Sequence, residues 1–529
     1  MKFMFRKSSP NSGAAKWWPT ILGMALLACA VALTFHEALG FGFFCDWDDL
    51  TFTLQNPHIS FNVNNLWYFF ARPFQDLYTP LPMWSLMLDH AIFGADAFGY
   101  HLHNLLLHIL AAWALFAVLL RLGAGTATAT LCAMLWALNP QKAESVVWIS
   151  ERKDVLCGLL SFLAVWFFLE RRYAWSALLT VLAIWAKPAA IPLPGIYMVY
   201  AWGKGEKLSR RETLVPTLAG LAATFFSMWM TSQTNPGTLE GNLLVPLHNL
   251  CWYPLTALVP FETNPIYPEV LRFDHRCALT MLAGSALLAL GVWSGLRLGV
   301  SRRKVLAALM VVLGSMLPVL GLLHYTNFRY CDRYNYLVSA AVVAMLALLV
   351  ERLLRRFPQK TIRKALTAAL ALAAVAYACC TYLYVPYWEN DVRLSYYVLQ
   401  QPGTPNLKAY ELGIMAGFRL EATDFLEYLK RELPYRPPAS DNNPQALVNN
   451  LLLFMEEHQL FLDGRYEEAE RRFNQIAASS RTASEPGKGN WIALSPPLIQ
   501  WLYEDQAEIA RRQGDEKKAA FYQQAKKIH

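Results

Sequence analysis

The run Cys45-Asp46-Trp47-Asp48-Asp49 lies a few residues beyond the first apolar stretch of the chain. An ionised carboxylate is costly beside hydrocarbon unless it is paired or solvated, so acids at the end of a membrane span are candidates for function. A single Asp there is readily explained as a helix cap. Three acids in four positions, followed by Asn56-Pro57 and an aromatic-rich segment, point instead to a functional role. Nine basic residues fall outside the pattern set by the other bases near the spans: Arg72, Lys142, Arg152, Lys153, Lys187, Arg272, Arg276, Arg329 and Arg333. Arg72, Arg272 and Arg276 are read as snorkelling side chains or lipid headgroup contacts. Arg152-Lys153 and Arg333 stand beside acids and aromatics at span ends, where a guanidinium fork or an ammonium suits a phosphate. An acid pair and phosphate-capable bases on one face fit glycosyl transfer from a lipid phosphate. Glycoside hydrolysis fits less well, because adjacent carboxylates do not by themselves flank one bond. His101, His103 and His108 with Asn104 open the second span. Imidazoles there are read as hydrogen-bonding interface residues, so no metal is expected, although His101 and Asp48 make a divalent ion conceivable.

The elements that position these groups follow from hydropathy. The chain has 529 residues, 55% hydrophobic and only 16% charged, which excludes an ordinary soluble domain. Stretches near 17–39, 100–120, 124–139, 154–170, 173–186, 188–203, 213–231, 278–297, 304–323, 335–350 and 365–385 are apolar enough to span, about eleven in all. The first is read as an anchor rather than a cleaved signal. Of the 30 basic residues before position 386, 21 fall on one side of this pattern, which makes that side cytoplasmic. The N-terminus is then cytoplasmic, while the outer loop 40–98 and everything from 386 face the periplasm or a lumen. The apolar stretch from Leu243 to Pro260 is read as re-entrant or interfacial, because counting it as a span would turn later basic loops outward. The +8 charge follows from orientation, and no basic stripe interleaved with aromatics suggests nucleic acid. The scattered cysteines suit buried thiols.

From Trp388 onward the pattern changes to helical hairpins. Leu462-Asp463-Gly464-Arg465-Tyr466 and Arg511-Arg512-Gln513-Gly514-Asp515 each put a Gly at a turn before a helix with a small packing Ala, and Asn406 to Leu429 is a looser third copy. This is tetratricopeptide-like. The expected architecture is all-α: a polytopic membrane bundle over 1–385 and a small soluble tetratricopeptide-like domain over 386–529.

Several pieces together resemble the GT-C glycosyltransferases, and most closely the transmembrane-and-tetratricopeptide O-mannosyltransferase type and its bacterial relatives. They are Trp47-Asp48-Asp49 with Asn56-Pro57, Tyr78-Thr79-Pro80-Leu81, His103-Asn104 with His108, Asn139-Pro140, Glu144-Ser145-Val146-Val147-Trp148, Arg152-Lys153-Asp154 and Asp332-Arg333-Tyr334. The resemblance implies a GT-C-like bundle, a polyprenyl-phosphate sugar donor and inverting transfer on the non-cytoplasmic face. It places Asp48 or Asp49 as base and Arg152, Lys153 and Arg333 near the donor phosphate, with His103, Asn104, Glu144, Asp332 and Tyr334 toward substrate. Lys187 stands where such proteins often carry a Lys-Glu pair, although Pro188 follows it here. The implied setting is a bacterial inner membrane, with the lipid bilayer, the lipid-linked sugar and a protein or glycan acceptor as partners and no cofactor beyond the donor. Two other readings are a ligase or modifier acting on envelope polysaccharide or lipid, and a non-catalytic scaffold that docks partners through its repeats.

Overall fold

The computed structural model describes residues 17–206, 211–235, 237–239, 241–260, 262–267, 273–324, 329–401, 407–432, 444–481 and 496–526. Lys2, Arg6, Lys7, Lys16, Lys207, Arg210 and Arg272 lie outside the described residues. Among the described residues the fold is all-α apart from an antiparallel ribbon of two-residue strands in which Thr238 pairs with His324. The chain divides into two compact units, the first comprising Met1–Phe44, Asp48–Pro265 and Val270–Asn390. The second takes in Asp391–His529 together with the short segments Cys45–Trp47 and Ile266–Glu269.

The first unit begins with α1 (Trp18–Phe35), α2 (Asp49–Phe52), α3 (Val63–Ala71), α4 (Pro80–Phe93), α5 (Ala97–Leu122), α6 (Thr126–Ala137), α7 (Lys142–Val147) and α8 (Arg152–Leu169). It continues through α9 (Tyr173–Ala186), α10 (Leu193–Lys204), α11 (Arg211–Ser232), α12 (Leu244–Leu258), α13 (His275–Arg297), α14 (Arg302–Met316), α15 (Asn335–Arg356) and α16 (Lys360–Tyr384). Every stretch expected to span carries a helix. Among the described residues six helices are long and apolar enough to cross a membrane, which makes this an integral membrane protein. Others are shorter, such as α6 with 12 residues and α9 with 14, too short to span alone without tight packing or local thinning.

Side-chain caps and chain breakers set the limits of these helices. Asp96 accepts a hydrogen bond from the Phe98 N–H at 3.1 Å and opens α5, while Gly123, at φ 100°, closes it in a conformation that suits glycine. Burial then ranks the helices. In α5, 56% of the apolar window is buried in protein, against 11% in α13 and in α16, so α5 is central and the other two present apolar surface to lipid. The stretch read as re-entrant or interfacial is α12, and its buried positions, among them Val245, Trp252, Tyr253 and Ala257, run along its length. It packs inside the first unit rather than along its surface.

The second unit consists of α17 (Asp391–Gln400), α18 (Leu407–Arg419), α19 (Thr423–Glu432), α20 (Pro444–Leu462), α21 (Tyr466–Arg481), α22 (Pro496–Arg512) and α23 (Glu516–Lys526). Gly464 at φ 74° and Gly514 at φ 78° make the turns of the hairpins α20–α21 and α22–α23. In the looser copy Glu421 takes the same left-handed conformation at φ 51°, without a glycine's freedom. Ala469 and Ala519 are buried beneath the partner helices, as small residues at a close helix crossing should be.

Candidate active site

The loop after α1 makes two unlike groups of the adjacent acids. Asp49 begins α2 and is fully buried. The Phe44 N–H donates to its Oδ2 at 3.1 Å, the Ser150 N–H donates to its Oδ1 at 2.8 Å, and the Ser150 hydroxyl donates to the same oxygen. Asp48 precedes it, is exposed, and among the described residues takes no side-chain hydrogen bond. Asp49 therefore ties the first loop to the 3₁₀ turn Ile149–Glu151, and Asp48 is left open to an incoming group.

Burial pushes the Asp49 carboxyl up to about 7, although the donors from Ser150 and Phe44 favour its charged form. A group that holds its proton more tightly when folded stabilises the fold at low pH, and loses that contribution as pH rises toward its folded pKa. Substitution of Asp49 by Asn removes the titration. The wild-type advantage over Asp49→Asn in thermal unfolding should shrink with rising pH, by about 1.4 kcal/mol per unit between about pH 5 and pH 7. A difference independent of pH would contradict the assignment.

The same 3₁₀ turn is the centre of a charge cluster. Glu151 meets Lys153 at 3.2 Å, Lys187 at 3.0 Å and the Arg333 Nε at 3.4 Å. Burial opposes its ionisation, but these three cations outweigh burial and hold its carboxyl well below the usual range. Arg333 also pairs through its guanidinium with Glu144, whose other oxygen accepts the Arg333 N–H at 2.8 Å. Lys187 lies between α9 and the turn Pro188–Ala190 and donates to Asp154 at 2.7 Å, which in turn accepts from the Ser145 hydroxyl. Although burial works against its charge, Asp154 and Glu151 raise its pKa. Aromatic faces complete the walls: Arg333 lies 5.4 Å from the Trp148 ring centre and 5.3 Å from that of Tyr334, Lys187 lies 5.8 Å from Tyr334, and Lys153 lies 4.9 Å from Phe52 of α2. Of the expected residues, the structure thus gathers Lys153, Arg333, Glu144 and Tyr334.

Arg152 belongs to a different cluster, with His103 and Asn104. Its guanidinium is fully buried and donates to Asn104, to the Ser85 hydroxyl at 2.8 Å, to Asp89 at 2.6 Å and to the Tyr100 carbonyl at 2.9 Å. The His103 Nδ1 lies 2.7 Å from the other Asp89 oxygen. This set joins α4 and α5 to the start of α8. Asp332 is spent in a third network. It accepts from the Gln141 amide at 2.9 Å and from the Asn264 N–H at 2.9 Å, while Asn335 bonds Gln141 and the Tyr253 carbonyl. Lys142, also buried, donates to the Asn335 carbonyl and to Ser339, and burial lowers its pKa to about 7.

Glu151, Asp89 and Ser150 have structural parts in these clusters that the sequence did not assign to them. Glu151 directly precedes Arg152-Lys153 in the sequence, but its role emerges only once Lys187 and Arg333 are brought to it. His101 is placed 3.3 Å from the Gly42 carbonyl, and among the described residues no cluster of metal-ligating side chains includes it.

A cavity of about 410 Å³ runs between α8, α10, α14 and α15. One end is walled by Ala189 and Ala190, two and three residues after Lys187, and by Leu337, four residues after Arg333. Lys204, Lys304 and Arg352 stand at the other. The two sets of bases are thereby separated along α8, whose 18 residues carry Lys153 at one end and lead at the other to Glu170, ion-paired with Arg121 at 2.6 Å. At about 1.5 Å per residue the ends lie about 27 Å apart, close to the thickness of a hydrocarbon core.

No protein-family model matches the chain, and no curated protein matches it. One solved structure, that of ArnT from Cupriavidus metallidurans bound to undecaprenyl phosphate, is similar over 80% of this chain and 73% of the other, with 14% identity and a TM-score of 0.38. A likeness that remote transfers no residue or role.

Proposed function

We propose that this protein moves a sugar from a polyprenyl-phosphate donor to an acceptor hydroxyl at the non-cytoplasmic membrane boundary. The observation that carries this reading is the gathering of Lys153, Lys187 and Arg333 around Glu151, with Ala189, Ala190 and Leu337, near Lys187 and Arg333 in the chain, lining an apolar cavity. A lipid phosphate has the matching chemistry, with an anionic head for the cations and an isoprenoid chain for the cavity. Lys153 pairs with one carboxylate and Lys187 with two, so each ammonium, with its three N–H bonds, has donor capacity beyond those pairs.

Asp48 is the base. It takes the proton of the acceptor hydroxyl as that oxygen attacks the anomeric carbon, and the sugar–phosphate bond breaks with its electron pair passing to the phosphate. Lys153, Lys187 and Arg333 stabilise the charge that develops there. Attack opposite the leaving phosphate inverts the anomeric centre. Asp49 and Arg152 position the base and the start of α8, His103 and Asn104 hold Arg152, and Glu144, Asp332 and Tyr334 shape the pocket around Arg333. The excess of bases at the far end of α8 supports a cytoplasmic position for that end and a non-cytoplasmic one for the site, the periplasmic face if the membrane is the bacterial inner membrane that the resemblance implies. The hairpins of the tail, read as tetratricopeptide units, select the acceptor, either a protein hydroxyl or an envelope glycan.

The test is transfer by the purified protein in lipid, with a labelled polyprenyl-phosphate sugar and an envelope extract as acceptor. Label should move from the lipid to the acceptor without added nucleotide. Transfer from a nucleotide sugar alone, or none from the lipid, would contradict the reading.

A further inference from the structure

In the second unit, α20 carries Glu457 and His458, and α22 lays Asp505 and Gln506 against them. One ligand atom from each of Glu457, His458 and Asp505 lies within 4.8 Å of the others. The His458 Nδ1 is 2.5 Å from Asp505 Oδ2, and the Gln506 amide nitrogen donates to Glu457 Oε1 at 2.9 Å. The cluster is closed off from water: Glu457 is 0% exposed, Gln506 1%, Asp505 4% and His458 9%. Phe418 stands edge-on to the imidazole at 4.6 Å and Trp501 lies 5.0 Å away.

Two oxygens in this dry space lack what burial demands. Among the described residues, Glu457 Oε2 and Gln506 Oε1 are buried without a hydrogen-bond partner. An orphaned carboxylate oxygen is costly in an apolar interior, and two carboxyls brought together cannot both ionise there unaided. A divalent cation would supply two positive charges to the two carboxylates and a partner to the orphaned Glu457 oxygen.

We infer that Glu457, His458 and Asp505 bind a divalent first-row transition metal within the tail. One imidazole nitrogen with carboxylate oxygens suits Zn²⁺ or Mn²⁺, and no thiolate takes part because no cysteine follows Cys380. The ion joins α20 to α22 and so fixes one hairpin against the next. The site is independent of the proposed sugar transfer. The sequence hid it because its ligands lie 47 residues apart in no metal-binding spacing.

The experiment uses the full-length chain without a polyhistidine tag, purified in detergent and stripped with chelator. It is then dialysed against Zn²⁺, Mn²⁺ or Ca²⁺, with bound metal measured by inductively coupled plasma mass spectrometry and unfolding followed by circular dichroism. The wild type should retain about one Zn²⁺ or Mn²⁺ per chain, little Ca²⁺, and unfold at higher temperature with the metal. Glu457→Gln keeps the shape of a protonated carboxyl and should fold with unchanged helicity, yet lose both the ion and the metal-dependent gain. His458→Gln should do the same. Absence of stoichiometric metal in the wild type, or equal metal in Glu457→Gln, would overturn the inference. So would variants that lose stability equally with and without metal, since that marks a proton-sharing cluster.

Discussion

Asp48→Asn should leave expression, membrane insertion and thermal unfolding as in the wild type and lower turnover of a polyprenyl-phosphate sugar by about 10²- to 10⁴-fold, the usual contribution of a general base. The reason is local. Asp48 is exposed and among the described residues makes no side-chain hydrogen bond, so an isosteric amide disturbs no packing. What it removes is the lone pair that accepts the acceptor's proton. The loss should fall on kcat, with KM for the donor little changed, because the lipid phosphate is held by other residues. Asp49→Asn should behave differently. It disturbs the bonds from Phe44 and Ser150 that hold the loop, so it should lower stability as well as turnover. Retained turnover in Asp48→Asn would remove this residue from the chemistry.

Glu151→Gln should have the largest effect on the fold of any single change near the site. One carboxylate, 3% exposed, stands against Lys153, Lys187 and Arg333. Its neutral replacement leaves those cations facing one another in a buried pocket. Breaking a buried ion pair from one side costs about 3–5 kcal/mol, and here Lys153 loses its carboxylate partner while Lys187 keeps Asp154 and Arg333 keeps Glu144. A clear drop in the unfolding temperature in detergent is expected, together with loss of donor binding. An exposed pair such as Lys430–Glu427 gives the contrast, since its removal should cost no more than about 1 kcal/mol. Equal small effects at both places would show that the cluster is not the buried knot described here.

The helices were legible in the sequence because apolar length and periodicity are local signals. Each expected span carries a helix, and Gly464 and Gly514 mark the hairpin turns they predict. The pairings were not legible, because they join residues far apart in the chain. Asp49 meets Ser150 across 101 positions and Glu144 meets Arg333 across 189. Neighbours in sequence were misleading in a more specific way. Arg152 and Lys153 read as one basic doublet, but both lie in the first turn of α8, where successive side chains diverge by about 100°. Arg152 therefore turns toward Asp89 and Asn104 while Lys153 turns toward Glu151. The acid pair divides likewise at the start of α2, one member buried and the other exposed. Composition and motif name the residue types a site needs; helical geometry decides which of two neighbours reaches it.

Where a bound lipid phosphate sits tests the account most directly. A cryo-electron microscopy map of the protein in lipid with a polyprenyl phosphate should show the phosphate within hydrogen-bond reach of Lys187 and Arg333, with its chain entering the cavity past Ala189 and Leu337. Phosphate density at the opposite end, beside Lys204 and Arg352, or away from both sets of bases, would contradict it.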